Sequence, residues 1–167
     1  MRMKSAALAK GQKPVGQRTN KFSKCRPPQK RKILVVDDDL CMREAAVLFL
    51  SENGYACIAS ENAVMAINLL EREQFDLIIT DLHMPEMDGM VLMERAKAIW
   101  PKTKVMIITG DTDIGIKNHA LKNGVDHYLV KPFTLDQFLC NVDGCLINHH
   151  PGRESYKEVL LSRAASC

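Results

Sequence analysis

At 167 residues, the chain has room for one ordinary domain. Its hydrophobic fraction of 46% supplies enough apolar side chains for a core, which excludes global disorder. The formal charge of +3 hides an uneven distribution, because residues 1–32 contain eleven Lys or Arg and no acid, which leaves 12 basic against 20 acidic residues in the rest. We therefore expect a basic, disordered arm over residues 1–32, followed by an acidic domain.

Neither a membrane span nor a metal-rich scaffold is expected. No apolar run approaches the roughly 18 residues of a transmembrane helix, and the N-terminus lacks the apolar core of a signal peptide. Six irregularly spaced cysteines without a C-x-x-C pair favour a reduced, cytoplasmic protein. Cys140, Cys145, His149 and His150 could suggest zinc. However, the two cysteines are five apart on a predicted helix and do not share a face, so we do not expect that site.

Strands and helices alternate along the chain from Ile33 onward. Short apolar runs predict strands at residues 33–36, 55–59, 77–79, 105–108 and 127–130. The strand runs are continuous rather than alternating, which is typical of a parallel sheet covered on both faces. Each run is followed by a segment with helical spacing of its apolar residues.

The helices are predicted from these apolar stripes and from their caps. The stripe of the first helix comprises Met42, Ala45, Ala46, Phe49 and Leu50, and that of the last comprises Leu135, Phe138, Leu139, Val142 and Leu146. Asn53-Gly54 ends the first helix, and Thr134 with Gln137 forms a capping box for the last. The intervening helices have the inner residues Ala63, Ala66, Ile67 and Leu70, then Leu92, Ala96 and Ile99, then Ile116, Ala120 and Leu121 within residues 112–123.

Five strands alternating with five helices predict an α/β fold with a doubly wound parallel sheet and right-handed crossovers. Residues 149–167 form a C-terminal extension. Within it, Tyr156, Val159, Leu160 and Arg163 indicate a short helix, which would be marginal unless it is docked.

Polar side chains follow the predicted strands at the point where each strand ends. Asp37-Asp38-Asp39 follows the first strand, Asp81 the third, Thr109 the fourth and Lys131 the fifth. Ligands of an open parallel sheet bind beyond the carboxyl ends of its strands, so these groups should meet at one edge. Clustered carboxylates with open coordination positions suit Mg²⁺, and an aspartate can act as nucleophile on a phosphoryl group. Metal and lysine would neutralise the phosphoryl oxygens, while a hydroxyl could bind the product.

Four segments resemble the receiver domains of two-component response regulators. They are LVVDD at 34–38, DLHMPEMDG at 81–89, ITG at 108–110 and YLVKPF at 128–133. They occur in the order and spacing of that family, and the resemblance covers residues 33–148. It implies a flavodoxin-like fold with strand order 2-1-3-4-5.

The resemblance also implies roles for individual residues. Asp81 would be the phosphoacceptor, receiving phosphate from a phosphohistidine of a sensor kinase or phosphotransfer protein. Asp38 and Asp81 would bind Mg²⁺ directly and Asp37 through water, with the backbone carbonyl of His83 as a further ligand. Lys131 would pair with the phosphate.

The switch and its output surface are likewise implied by the resemblance. Lys131 would be directed by a cis bond to Pro132. Thr109 and Tyr128 match a hydroxyl and aromatic switch pair, in which the ring turns inward once the hydroxyl moves toward the phosphate. A downstream protein would contact the fourth helix, fifth strand and fifth helix. The resemblance implies a phosphoacceptor rather than an enzyme, and no output domain is recognisable after residue 148.

Two other functions compete with this interpretation. Residues 35–39 also fit the D-x-D opening of haloacid-dehalogenase-like phosphatases, with Thr109 and Lys131 as later motifs. However, Cys41 stands where that family has Thr or Val, and no acidic pair follows Lys131. The arm could bind nucleic acid through its eleven positive charges. Yet Phe22 is its one aromatic residue and the remaining chain is acidic, so we expect at most weak binding.

Overall fold

The computed structural model describes residues 30–147. Most of the basic arm and the whole extension at 149–167 therefore lie outside the described residues. Five parallel strands form one sheet in the order β2-β1-β3-β4-β5. The strands are β1 (Lys32–Val36), β2 (Ala56–Ser60), β3 (Leu77–Asp81), β4 (Lys104–Thr109) and β5 (His127–Val130). The predicted fold class and strand order are confirmed.

Five helices cover the two faces of the sheet. They are α1 (Leu40–Glu52), α2 (Ala63–Leu70), α3 (Gly89–Ile99), α4 (Ile114–Lys122) and α5 (Leu135–Ile147). Successive strand residues point to opposite faces, so β1 sends Leu34 and Val36 toward α2, α3 and α4, and sends Ile33 and Val35 toward α1 and α5. Two apolar cores result, one on each side of the sheet. None of the helices within residues 30–147 is long and apolar enough to cross a membrane.

The register of the strands brings their carboxyl ends to a common edge. Val36 of β1 lies beside Thr80 of β3, and Thr109 of β4 lies beside Val130 of β5. Residues that follow these positions, Asp37, Asp81 and Lys131, are therefore neighbours in space although they are up to 94 positions apart in the sequence. We call this the carboxyl edge.

Side-chain caps define where the helices start at this edge. Asp39, Asn62, Asp88 and Asp113 cap α1 to α4, and each accepts hydrogen bonds from backbone N–H groups of the first turn. Thr134 and Gln137 form the reciprocal capping box of α5, as predicted. The fourth helix is shorter than the predicted 112–123, because Asp113 caps it and the helix begins at Ile114. Ala120 is its one buried residue.

The burial predicted for five apolar residues is wrong. Ile99 near the end of α3 and Leu121 near the end of α4 are 36% and 41% exposed. Met42 and Leu135 remain 38% and 58% exposed, and Ala45 is also exposed, although the periodicity places them on inward stripes. For these last three the reason is that α1 and α5 do not close on each other at the carboxyl edge. A cavity of about 240 Å³ separates them there.

At the opposite, amino end of the sheet, the carboxylate of Asp126 links three elements. Asp126 accepts hydrogen bonds from Lys97 on α3 at 2.7 Å, from Lys104 on β4 at 2.8 Å and from the backbone N–H of Val105 at 2.9 Å. Burial alone would raise its pKa, but the bonds from Lys104, Lys97 and Val105 together hold the pKa of Asp126 below its ordinary value. Asp126 therefore ties α3, β4 and the start of β5 together.

We expect Asp126→Asn to lower the free energy of unfolding by about 1–2 kcal/mol at neutral pH, since two half-buried lysines lose their counter-charge. Because the pKa is lowered in the folded state, this contribution is present above the unfolded aspartate pKa. It disappears as the pH falls through the folded one. Urea titrations at neutral and acidic pH would check this. The exposed Glu94→Gln on α3 is the control, and an Asp126→Asn effect equal to it would contradict the assignment.

Candidate functional site

The centre of the carboxyl edge is a lysine held between two carboxylates. The Nζ of Lys131 donates to Oδ2 of Asp81 at 2.6 Å and lies 3.7 Å from Oδ2 of Asp37. Asp37 is almost fully buried at 8% exposure, and the side chain of Asp81 is 13% exposed. The peptide bond between Lys131 and Pro132 is cis. Lys131 thus contacts Asp81 directly and lies close to Asp37, and all three residues were predicted from their positions at the ends of strands.

The pKa values of Asp37 and Lys131 are shifted by burial and by the charges of the neighbouring side chains. Burial raises the pKa of Asp37, and the negative charges of Asp81 and Asp38 add to that rise against the opposing effects of the Asp39 N–H and Lys131. Burial alone would lower the pKa of Lys131, but its hydrogen bond to Asp81 and the charges of Asp81 and Asp37 raise it. The lysine is therefore firmly protonated, while the carboxylates carry more negative charge than one lysine neutralises.

The backbone turns on either side fix the orientation of both carboxylates. Oδ1 of Asp37 accepts from the N–H of Asp39 at 2.8 Å, and Oδ1 of Asp81 accepts from the N–H of His83 at 2.9 Å. Nη1 of Arg43 donates to the backbone carbonyl of Asp37 at 2.6 Å. Sequence reasoning missed Arg43. Its position four residues after the Asp39 cap, one helical turn on, was the available signal.

The remaining predicted ligands lie at the rim. Asp38 is exposed, and the imidazole of His83 is 65% exposed. Nε2 of His83 lies 3.3 Å from Oδ2 of Asp111, which joins the loop after β3 to the loop after β4. Asp111 was not singled out from the sequence, since it lies in a loop two residues beyond Thr109 and belongs to no motif that we used.

The donor set fits a hard divalent cation. Within residues 30–147, no three His, Cys, Asp or Glu side chains converge as a ready-made metal cage. Mg²⁺ does not need one, because it keeps several waters and takes one or two protein carboxylates together with phosphate oxygens. Asp37 provides a buried carboxylate and Asp81 a half-buried one, and Lys131 is the one cation that contacts both within residues 30–147. The chemistry of the residues therefore suits Mg²⁺.

The predicted switch residues occupy buried positions beside this group. Thr109 is fully buried, and its Oγ1 accepts from the N–H of Asp111 at 3.1 Å. Tyr128 is 8% exposed, and its hydroxyl is buried without a hydrogen-bond partner among residues 30–147. Burial and the charges of Asp111, Asp113 and Asp81 raise its pKa. The expectation that the ring turns inward only after phosphorylation does not match this arrangement, since the ring is already buried.

Gly89 allows α3 to begin directly against the site. A Cβ at this position would lie 2.3 Å from the backbone oxygen of Asp81, a separation at which something must shift. The N–H of Gly89 also donates to the backbone oxygen of Leu82 at 2.9 Å. The backbone of Asp81 is thus packed against a residue without a side chain.

We expect Gly89→Ala to lower the free energy of unfolding by about 1–3 kcal/mol, since the new methyl group collides with backbone that cannot rotate away. Thermal melting would check this. Gly110→Ala is the matched control, because a Cβ at Gly110 meets nothing within 4 Å. Equal melting temperatures for the two variants would contradict the close packing.

Tyr128→Phe should raise the free energy of unfolding by about 1 kcal/mol, because it removes a buried hydroxyl that has no partner. Tyr55→Phe is the control of opposite sign, since the Tyr55 hydroxyl donates to the carboxylate of Asp143. That change should lower stability by about 1 kcal/mol. Chemical denaturation of both variants measures the difference, and a loss of stability in Tyr128→Phe would show that its hydroxyl is hydrogen-bonded.

Comparison with known proteins gives concordant results. The family model described as the response regulator receiver domain matches residues 33–143. The DNA-binding transcriptional regulator NtrC of Proteus hauseri is 31% identical over 126 residues, which are 75% of this chain and 27% of that protein. The response regulator protein FleR of Pseudomonas aeruginosa is 34% identical over 134 residues, 80% of this chain and 28% of that protein. The chain thus spans less than a third of the length of these two relatives.

Solved structures of the same shape include single receiver domains. A response regulator receiver domain protein from Clostridium thermocellum is 27% identical with a TM-score of 0.67, covering 71% of this chain and 95% of that one. The Vibrio cholerae chemotaxis protein CheY4 is 26% identical with a TM-score of 0.66, covering 70% and 99%. Each of these two chains is therefore matched over nearly all of its length.

Proposed function

Since the chain belongs to the response regulator receiver family, we propose that Asp81 accepts a phosphoryl group from a phosphohistidine of a sensor kinase or phosphotransfer protein. The observation that supports this most directly is the 2.6 Å contact of Lys131 with Asp81 beside the buried Asp37. A nucleophilic carboxylate, a fixed cation and a second carboxylate are the groups that such a transfer requires.

The chemistry proposed for these residues is a single displacement. A carboxylate oxygen of Asp81 bonds to phosphorus as the P–N bond of the donor breaks, and the bonding electrons stay with the imidazole nitrogen. The ammonium of Lys131 moves from the carboxylate to the transferred phosphoryl oxygens. Asp37, Asp38, Asp81 and the backbone carbonyl of His83 would hold Mg²⁺, which when bound supplies further neutralisation of the phosphoryl charge.

The proposed signal passes from Asp81 to α4. Thr109 precedes the loop that leads into α4, and its hydroxyl already accepts from Asp111 in that loop. If the hydroxyl turns toward the phosphate, this bond is lost and the loop moves. The free energy needed to displace α4 is low, since only Ala120 of it is buried and Ile114 is 72% exposed.

Because the ring of Tyr128 is already buried, we place the change in the α4 loop and not in a rotation of the ring. A downstream protein would read the face formed by α4, β5 and α5. On this proposal the phosphate selects a state that exists before phosphorylation.

The alternatives are less well supported. Membership of the receiver family favours a phosphoacceptor over the dehalogenase-like phosphatase, and we propose that the chain carries phosphate without turning over an external substrate. DNA binding is stated in the name of one relative, and the ten elements within residues 30–147 all belong to the receiver sheet and its helices. We assign the receiver step to residues 30–147.

We expect Asp81→Asn to abolish phosphoryl transfer, since an amide is not a nucleophile toward phosphorus. Intact mass after incubation with acetyl phosphate and Mg²⁺ should show one added phosphoryl group on the wild type and none on the variant. Excess chelator should also prevent it. Asp39→Asn is the matched control, because asparagine caps a helix as well as aspartate does. Equal phosphorylation of Asp81→Asn, or turnover of a generic phosphomonoester, would contradict the proposal.

A further inference from the structure

Arg43 contacts both ends of the turn that carries two of the proposed Mg²⁺ ligands. This turn, residues 37–39, joins β1 to α1 and has Asp38 at its centre. The backbone N–H of Arg43 donates to the carbonyl of Asp39 at 3.0 Å, and its Nη1 donates to the carbonyl of Asp37 at 2.6 Å. The main chain and the side chain of Arg43 therefore hold the two ends of the turn in fixed positions relative to α1.

The start of α1 does not need the bond from the guanidinium. The bond from the N–H of Arg43 to Asp39 is the first i to i−4 bond of the helix, which any residue other than proline would form here. Oδ1 of Asp39 already caps the helix, since it accepts from the N–H groups of Cys41 and Met42. The bond from Nη1 passes beyond this cap to the residue that follows β1. It is therefore specific to the arginine side chain and acts on the turn.

The guanidinium binds a backbone carbonyl although the same residue, Asp37, also carries a carboxylate. Arginine commonly binds a carboxylate through two parallel hydrogen bonds. Within residues 30–147, however, Arg43 forms no ion pair with an acidic side chain, whereas Lys131 lies within 3.7 Å of Asp37. Arg43 thus fixes the backbone of the turn and leaves the carboxylate oxygens of Asp37 and Asp38 open to a metal ion.

The orientation of Asp38 depends on this backbone. Its side chain is exposed, and in the described part of the chain it accepts no hydrogen bond that would hold its carboxylate in place. The carboxylate of Asp37, by contrast, accepts from the N–H of Asp39 at 2.8 Å. The backbone on either side of Asp38 therefore decides where its carboxylate lies, and this is the segment that Arg43 holds.

We propose that Arg43 is a positioning residue of the metal site, whose bond to the Asp37 carbonyl directs the carboxylates of Asp37 and Asp38 and so strengthens the binding of Mg²⁺. This role rests on the proposed function, which assigns Mg²⁺ to these carboxylates. Mg²⁺ demands nearly ideal octahedral geometry, so a small rotation of the turn has a large effect on affinity. Removing groups that orient metal ligands typically weakens metal binding by about 10–100-fold.

A positioning role and a purely electrostatic role change the affinity for Mg²⁺ in opposite directions. A guanidinium near the site repels a divalent cation, so removing the positive charge of Arg43 would by itself strengthen Mg²⁺ binding. Removing the bond to the Asp37 carbonyl frees the turn and weakens Mg²⁺ binding, although the repulsion is relieved at the same time. The sign of the change in the Mg²⁺ dissociation constant therefore separates the two roles.

Substitution of Arg43 in the full chain tests this role. Arg43→Met keeps an unbranched side chain with good helix propensity but has neither a donor nor a charge. Arg43→Lys keeps the charge and a donor of shorter reach. Each ¹⁵N-labelled protein is titrated with MgCl₂ at constant ionic strength, and the amide shifts of Asp39 and His83 give the dissociation constant. Arg95→Met is the matched control, because Arg95 is exposed and lies on α3.

We expect Arg43→Met to raise the Mg²⁺ dissociation constant about tenfold or more, and Arg43→Lys to raise it by no more than that. Arg95→Met should leave it unchanged. Hydrogen exchange without metal gives a second readout. The amide of Asp39, which donates to Oδ1 of Asp37, should exchange faster in Arg43→Met, while the amide of Val35 within β1 keeps its wild-type rate. That combination identifies a loosened turn in a chain that remains folded.

A dissociation constant for Arg43→Met that equals the wild-type value or falls below it would overturn the proposal. An equal rise in Arg95→Met, or unchanged exchange of the Asp39 amide, would overturn it as well. The proposed function fails separately. A wild-type chain that binds Mg²⁺ but is not phosphorylated on Asp81 sinks only the phosphoryl transfer, whereas Mg²⁺-dependent phosphorylation with unchanged affinity in Arg43→Met sinks only the role of Arg43.

Discussion

The contact between the ammonium of Lys131 and the carboxylates of Asp81 and Asp37 is the constraint around which the rest of the molecule is arranged. Like charges this close destabilise a folded chain unless a cation lies among them. The three residues lie at the carboxyl ends of three different strands, so they meet only if β1, β3 and β5 keep their order and register. A sheet buried on both faces supplies that rigidity, and Gly89 lets α3 start against the same backbone.

Much of the fold could be predicted from the sequence, for a specific physical reason. Strands buried on both faces have continuous apolar runs, and polar residues that end such runs must meet at one edge. The sequence pattern alone therefore predicts that Asp37, Asp81, Thr109 and Lys131 lie at the carboxyl edge. The roles attributed to these residues go further than the geometry, and they remain proposals.

Predictions from the sequence were wrong or incomplete where the burial or contact of a residue depends on how two secondary-structure elements pack together. Periodicity shows that Met42 and Leu135 share faces with core residues, but it does not show whether α1 and α5 close over them. Arg43 and Asp111 make their contacts through a backbone carbonyl and an exposed imidazole, which no local pattern encodes. Tyr128 could be identified from its neighbours, whereas the burial of its ring depends on the space left by the loop after β4.

The aspartates that cap the helices add negative charge to the carboxyl edge, and this charge acts on ions and proteins that approach from a distance. Asp39, Asp88 and Asp113 begin three helices at the same edge that carries Asp37 and Asp81. At the amino end, by contrast, Asp126 is matched by two lysines and Asp76 by Arg31. The molecule is therefore polarised along its strands, and its field repels an anionic phosphoryl donor over about one Debye length, roughly 8–10 Å at physiological salt. Added salt should speed the first encounter with such a donor, while a bound divalent ion would reverse the sign of the field at close range.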